Sequence, residues 1–144
     1  MRILVTDDDR AIRRAIRDVL EMEGHAVDEA EDGLEAFKKL EDVSYDLLLC
    51  DLKMPKMDGL ALIEKLRAEN LSTDIIVMSG HGSIETAVKA LRLGAYDFIE
   101  KPFNIDQLMV VVSRAMETSR LRRENADLRR RDVTASDLLG SSPA

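Results

Sequence analysis

Residues 47–51 read Leu47-Leu48-Leu49-Cys50-Asp51: four apolar side chains in succession, closed by a carboxylate. A strand with one wet face alternates apolar and polar residues, so an unbroken run this short implies a strand covered on both faces. Such strands belong to parallel sheets sandwiched between helices. Outward from this run, the chain carries others of the same kind: Ile3-Leu4-Val5, Ala26-Val27, Ile75-Ile76-Val77-Met78 and Tyr96-Asp97-Phe98-Ile99. Between them lie apolar stripes at helical spacing: Ile12, Ala15, Ile16, Val19 and Leu20, then Leu34, Phe37 and Leu40, then Leu60, Leu62, Ile63 and Leu66, then Ile84, Ala87, Val88 and Leu91. With a last helix starting at Ile105, five strands alternate with five helices and predict an α/β fold, a doubly wound parallel sheet with right-handed crossovers. Punctuation agrees: Gly24 follows the first helix, Asp32-Gly33 opens the second, Asp58 can cap the third, Gly94 ends the fourth, and Asn104 can cap the fifth.

The chain has 144 residues, enough for one domain and an extension; 45% of them are hydrophobic and 34% charged, which excludes disorder throughout. A formal charge of -7 disfavours a protein whose main task is to neutralise nucleic-acid phosphates, and suits a cation site better. The single Cys50 excludes a disulfide framework and a multi-cysteine zinc site. Met1–Asp9 holds only a few apolar residues before three acids, so it reads as neither a signal peptide nor a membrane span, and cytoplasm is the expected compartment. Charge changes sign along the chain: residues 1–113 carry 14 Lys and Arg against 23 acids, whereas 114–144 carry 7 Arg against 5, which predicts an acidic domain followed by a different element.

Ligands of an open parallel sheet bind outside the carboxyl ends of its strands. The chemically informative residues fall at such ends: Asp7, Asp8 and Asp9 after the first run, Asp51 after the third, Ser79 after the fourth, Lys101 after the fifth. Clustered carboxylates repel unless a cation neutralises them, and hard oxygen donors suit Mg2+. Asp9 is read as the cap of the first helix; Asp7 and Asp8 are read as cation ligands. Asp51, delivered by a short apolar strand, is the candidate nucleophile toward phosphorus, with Lys101 and Ser79 as donors to the transferred group.

These residues carry a resemblance to the receiver domain of two-component response regulators over about residues 1–120. The matching segments are Val5-Thr6-Asp7-Asp8-Asp9, Leu49-Cys50-Asp51-Leu52-Lys53-Met54-Pro55-Lys56-Met57-Asp58-Gly59, Met78-Ser79-Gly80-His81 and Lys101-Pro102-Phe103. The resemblance implies a flavodoxin-like, CheY-like sheet in the order 2-1-3-4-5, and phosphoryl transfer from a histidine kinase to Asp51. It further implies Mg2+ bound directly by Asp8, Asp51 and the backbone carbonyl of Lys53, and through water by Asp7. Ser79 and Lys101 would bind phosphoryl oxygens, and the Lys101-Pro102 bond would be cis. Two residues depart from the family's habit: Thr6 replaces an aliphatic residue, and Ser79 replaces a commoner threonine.

The family's switch aromatic falls at Phe98, which reads equally as permanent core. Tyr96 reads as surface or interface, Cys50 as core, His25 as a loop residue. His81 stands where the resemblance implies an influence on acyl phosphate hydrolysis. The proposed switch path runs from Ser79 into the fourth helix and the packing of Ile84, Val88, Leu91 and Phe98.

From Ile105 the helical pattern continues to about Arg131 without Gly or Pro. Thr118, Leu121, Asn125 and Leu128 fall on a-d-a-d positions, with Glu117 and Glu124 at g and Arg122 and Arg129 at e, as in a short parallel coiled coil. An exposed helix laced by i,i+4 ion pairs is the competing reading. The division expected is a receiver over 1–118, a dimerising helical linker over 119–132, and at 133–144 a disordered tail or the start of an AAA+ domain. The last segment resembles the opening of the ATPase domain in NtrC-type regulators of sigma-54 RNA polymerase. Contact with DNA and with that polymerase would then occur only through domains outside this chain. A haloacid-dehalogenase-like phosphohydrolase is a rival, but it would place a second catalytic Asp where Lys53 stands. An interaction module that is never phosphorylated would have no use for Asp7, Asp8, Asp51, Ser79 and Lys101 together.

Overall fold

In a computed structural model of the chain, residues 1–80 and 84–139 are described, without the side chains of residue 123 and of residues 125–139. The elements alternate: β1 (Arg2–Thr6), α1 (Arg10–Met22), β2 (Ala26–Ala30), α2 (Gly33–Asp42), β3 (Leu47–Asp51), α3 (Gly59–Ala68), β4 (Asp74–Ser79), α4 (Ile84–Arg92), β5 (Asp97–Glu100) and α5 (Ile105–Leu139). The sheet has the order β2-β1-β3-β4-β5, and every pairing is parallel.

The central run explains itself in this setting. Leu47 and Leu49 point into a core with Ile16 and Leu20 of α1 and Leu108, Val112 and Ala115 of α5. Leu48 and Cys50 point the other way, into a core with Phe37 of α2, Leu62, Ile63 and Leu66 of α3, and Ala87 and Ala90 of α4. Both faces of β3 are therefore dry, and truncating one of its leucines to alanine costs about 2–5 kcal/mol. The edge strand β2 differs, with Val27 and Ala30 buried and Asp28 and Glu29 half-buried, which is why only its first two residues stand out as apolar.

Helix starts follow the side-chain chemistry read from sequence. Asp9 accepts from the N–H groups of Ala11 and Ile12, Asp32 from that of Glu35, and Asp58 from that of Ala61. Asn104 and Gln107 cap reciprocally, each side-chain oxygen accepting the other's backbone N–H at 2.8 and 3.1 Å. Gly24 and Gly94 have φ of +91° and +109°, the left-handed region that ends helices.

Three expectations need correction. In α1, Ala15 is exposed while Arg13 is buried, because Arg13 finds ionic and backbone partners at the sheet edge. In α4, Ala87 and Ala90 face the sheet, whereas Ile84 and Val88 are 47% and 37% exposed. Two alanines bring the helix close to the sheet, and the bulkier residues of the stripe stay on its flank, so Ile84 and Val88 do not form a packed relay. The third concerns α5, which runs to Leu139 rather than stopping near Arg131; no glycine or proline intervenes before Gly140.

The same helix is tied to the amino-terminal edge of the sheet. Tyr96 and Thr118 share a hydroxyl–hydroxyl hydrogen bond of 3.2 Å, and Arg122 grips both oxygens of Asp74 at 2.7 and 2.8 Å. Arg120 pairs with Glu117 at 2.6 Å and Glu124 at 3.3 Å within the helix. The Arg120 pairs with Glu117 and Glu124 are of the i,i+3 and i,i+4 kind, whereas Thr118 and Arg122 find their partners at the sheet edge. Leu121 is 46% exposed; the side chains of Asn125 and Leu128 lie outside the described residues.

Candidate functional site

Parallel register brings the carboxyl ends of four strands together. Thr6 lies opposite Cys50, Asp51 opposite Met78, and Ser79 opposite Glu100, so Asp7, Asp51, Ser79 and Lys101 emerge along one edge. The Lys101 N–H donates to the Ser79 carbonyl at 2.7 Å, and the Lys101-Pro102 peptide is cis. A side chain on Gly59 would collide with the Asp51 carbonyl, 2.7 Å from where a Cβ would stand; glycine lets α3 start against the end of β3.

The three carboxylates read as cation ligands come together. One oxygen each from Asp7, Asp8 and Asp51 lies within 4.8 Å of the others, with Asp7 and Asp51 buried and Asp8 exposed. Asp9 is not among them, since it caps α1. The Lys101 ammonium bridges Asp7 at 2.9 Å and Asp51 at 3.1 Å. Burial pushes the Asp7 carboxyl above its ordinary value, and the Asp51 charge adds to that, against hydrogen bonds from the Asp9 N–H and Lys101. Burial opposes the charge on Lys101, yet Asp7 and Asp51 together hold its pKa above the usual lysine value. The Lys53 N–H donates to Asp51 Oδ1 at 3.3 Å, so the residue expected to offer its carbonyl lies in the loop directly after β3, beside the Asp51 carboxylate.

Two buried hydroxyls, Thr6 Oγ1 and Ser79 Oγ, have no hydrogen-bond partner among the described residues. Ser79 closes β4, so its unpaired hydroxyl lies at the same sheet edge where β1 and β3 deliver Asp7 and Asp51. Phe98 is half-buried against the α2–α4 core, and Tyr96 half-buried against the α1–α5 core. Cys50 is fully buried, and burial pushes its thiol far above the ordinary value, which leaves it no thiolate chemistry. His81 lies outside the described residues.

One residue at the site escaped sequence reasoning. Arg13 donates from Nη1 to the Asp7 carbonyl at 2.8 Å and from Nε to Glu29 at 2.9 Å. Its position i+4 from Asp9 was a usable signal: the first turn of a helix capped at Asp9 points back over the loop that holds Asp7.

Comparison with known proteins places these features in context. The response regulator receiver domain model matches residues 3–113. A putative NtrX-like response regulator of Rickettsia bellii is 39% identical over 142 residues, which is 97% of this chain and 30% of that protein. The nitrogen assimilation regulatory protein NtrX of Azorhizobium caulinodans is 42% identical over 129 residues, 88% of this chain and 28% of the relative. Among solved structures, the crystal structure of NtrX from Brucella abortus superposes with a TM-score of 0.83 at 43% identity, covering 88% of this chain and 29% of that one. The chain thus spans under a third of the length of these relatives. Among the described residues, no helix is long and apolar enough to cross a membrane.

Proposed function

The chain belongs to the response regulator receiver domain family, with NtrC-type regulators as its relatives, and from that premise we propose that it is a cytoplasmic phosphorylation switch whose acceptor is Asp51. An Asp51 carboxylate oxygen forms the new bond to phosphorus while the bond from phosphorus to the donor atom breaks, giving an acyl phosphate. The donor is a phosphohistidine of a kinase or a small acyl phosphate. Lys101 leaves its two carboxylate partners to hold one phosphoryl oxygen, and Ser79 gives its unused hydroxyl to another. The site fits Mg2+: three carboxylates with oxygens inside 4.8 Å form a hard, anionic donor set, which the Lys53 carbonyl would complete. When bound, the ion would offset the negative charge that otherwise keeps a second anion away. The residues act in one transfer to Asp51 and in its hydrolysis, in which water bonds to phosphorus as the bond to the Asp51 oxygen breaks and inorganic phosphate leaves; the protein is a switch rather than an enzyme with turnover.

The observation that carries this reading is the Ser79 hydroxyl, fully buried and unpaired among the described residues at the same edge as the bridged acids. A hydroxyl left so costs stability, and a phosphoryl oxygen would repay it.

Residues 1–118 form the receiver in this proposal, 119–132 a linker within α5, and 133–144 the approach to a further domain or a tail. The receiver would control a sigma-54-interacting ATPase, with DNA contact made elsewhere in the whole protein. Two chains would pair through the flank of α4 and β5 and through α5. Exposed Ile84 and Val88 on α4, and exposed Leu121 on α5, support that pairing. The chemistry is tested by intact mass after acetyl phosphate treatment. One phosphoryl group should be gained with Mg2+, and none in excess chelator or in Asp51→Ala; undiminished labelling in either would sink the assignment.

A further inference from the structure

We propose that Arg13 is a positioning residue for the cation site, fixing the peptide that joins Asp7 to Asp8 and thereby the direction in which Asp8 offers its carboxylate. The inference rests on the cation-dependent reading of the site given above.

The loop from β1 to α1 is held at several points. The Asp7 N–H donates to the Ala30 carbonyl at 3.2 Å, the Asp9 N–H to Asp7 Oδ1 at 2.9 Å, and Asp9 caps α1. These bonds fix Asp7 and Asp9 but leave the peptide plane between Asp7 and Asp8 to be set by its own carbonyl. Arg13 Nη1 takes that carbonyl at 2.8 Å, in a buried bond. The planar guanidinium is anchored at its other side, where Nε meets Glu29 of β2 at 2.9 Å. Glu29 is in turn held by Arg17 at 2.7 Å, and Arg17 by Glu21.

This chain of two arginines and two glutamates has no net charge, so its effect on the acids is directional rather than a simple field. Rotating the peptide would break a charge-assisted bond to a buried carbonyl. It would also swing Asp8, the exposed member of the trio, away from Asp7 and Asp51. A lysine at this place keeps the charge but has a single donor centre and cannot span both anchors. Loss of Arg13 leaves Glu29 still paired with Arg17, so the fold need not fail with it.

Partners that orient metal ligands from behind are typically worth about 10–100-fold in metal affinity. The test measures Mn2+ dissociation constants by the paramagnetic resonance signal of the free ion, on the 144-residue chain and its Arg13→Met and Arg13→Lys variants. Thermal unfolding in chelator verifies that each variant is folded; Arg13→Lys serves if Arg13→Met is not. Expected is weakening of roughly 10-fold or more in both variants. Acetyl phosphate labelling of Asp51 should then be slow at low Mg2+ and return toward the wild-type rate at saturating Mg2+, because Arg13 does not touch the reacting atoms. Unchanged Mn2+ affinity in a folded variant overturns the proposal for Arg13 alone. Labelling that stays slow at saturating Mg2+ also overturns it, by assigning Arg13 a role other than cation positioning. A wild-type chain that binds no Mn2+ removes the cation reading itself, and this proposal with it.

Discussion

Thr6→Val and Ser79→Ala remove the two buried hydroxyls that lack partners, and they should separate folding from function. Both residues are fully buried, and neither oxygen is satisfied among the described residues. A buried hydroxyl left unpaired costs about 1–3 kcal/mol. Thr6 closes β1 on the face it shares with Leu4, opposite Cys50 of β3, so its surroundings are apolar. Valine replaces the hydroxyl with a methyl group of similar size, and the expected gain is about 1–2 kcal/mol. For a chain of this length that raises the midpoint by roughly 3–6 °C. Ser79→Ala should likewise hold or raise stability, since alanine loses a polar atom and little volume, yet it should slow Asp51 labelling severely. Urea unfolding followed by far-ultraviolet circular dichroism, in chelator so that cation binding does not contribute, reads both changes. Destabilisation of either variant by about 1 kcal/mol or more would show that its hydroxyl is satisfied in the folded protein. For Ser79, that result would mean its hydroxyl is already engaged and not held free for a phosphoryl oxygen.

Lys101→Met leaves Asp7 and Asp51 facing each other without their common cation; the metal-free protein should lose about 1–3 kcal/mol, and Mg2+ should restore part of it, as urea titrations with and without the ion will show. Tyr45 donates to Asp28, and burial, with that bond, pushes its hydroxyl up to about 12 from an ordinary 10.0. Because the folded value is the higher one, stability is complete below pH 10 and falls as pH rises toward 12; Tyr45→Phe should show a shallower loss over that window than wild type in pH-dependent thermal melts. Sedimentation should find 1–144 dimeric at high micromolar concentration and a chain ending at Thr118 monomeric, with Asp74→Asn strengthening the dimer by freeing Arg122; if both lengths are monomers, with or without a phosphoryl mimic, pairing through α5 is wrong.

The sequence made the sheet legible because β3 and β4 advertise burial on both faces, and because Asp9, Asp32, Asp58, Gly24 and Gly94 sit where caps and left-handed turns demand them. Asp7, Asp51, Ser79 and Lys101 were legible for a related reason: a parallel sheet gathers the residues that follow its strands. What stayed hidden has physical causes. Apolar periodicity ranks residues by hydrophobicity, so it placed Ile84 and Val88 inward along with Ala87, although close approach favours Ala87 and Ala90. It ranks arginine as solvent-facing, so Arg13 went unseen until Glu29, sixteen residues on, supplied a counter-charge. Heptad spacing describes what a helix can pair with, not what already holds it, and Asp74 holds Arg122 across a gap of 48 residues.

The central claim is that Asp51 takes the phosphoryl group, and the most direct test maps that bond. Borohydride reduces an aspartyl phosphate to homoserine, so chain treated with acetyl phosphate and Mg2+, reduced and digested, should carry homoserine at Asp51 and at no other acid. Homoserine at Asp7, Asp8 or Asp58, or phosphate that survives borohydride as an ester on Ser79, would contradict the account.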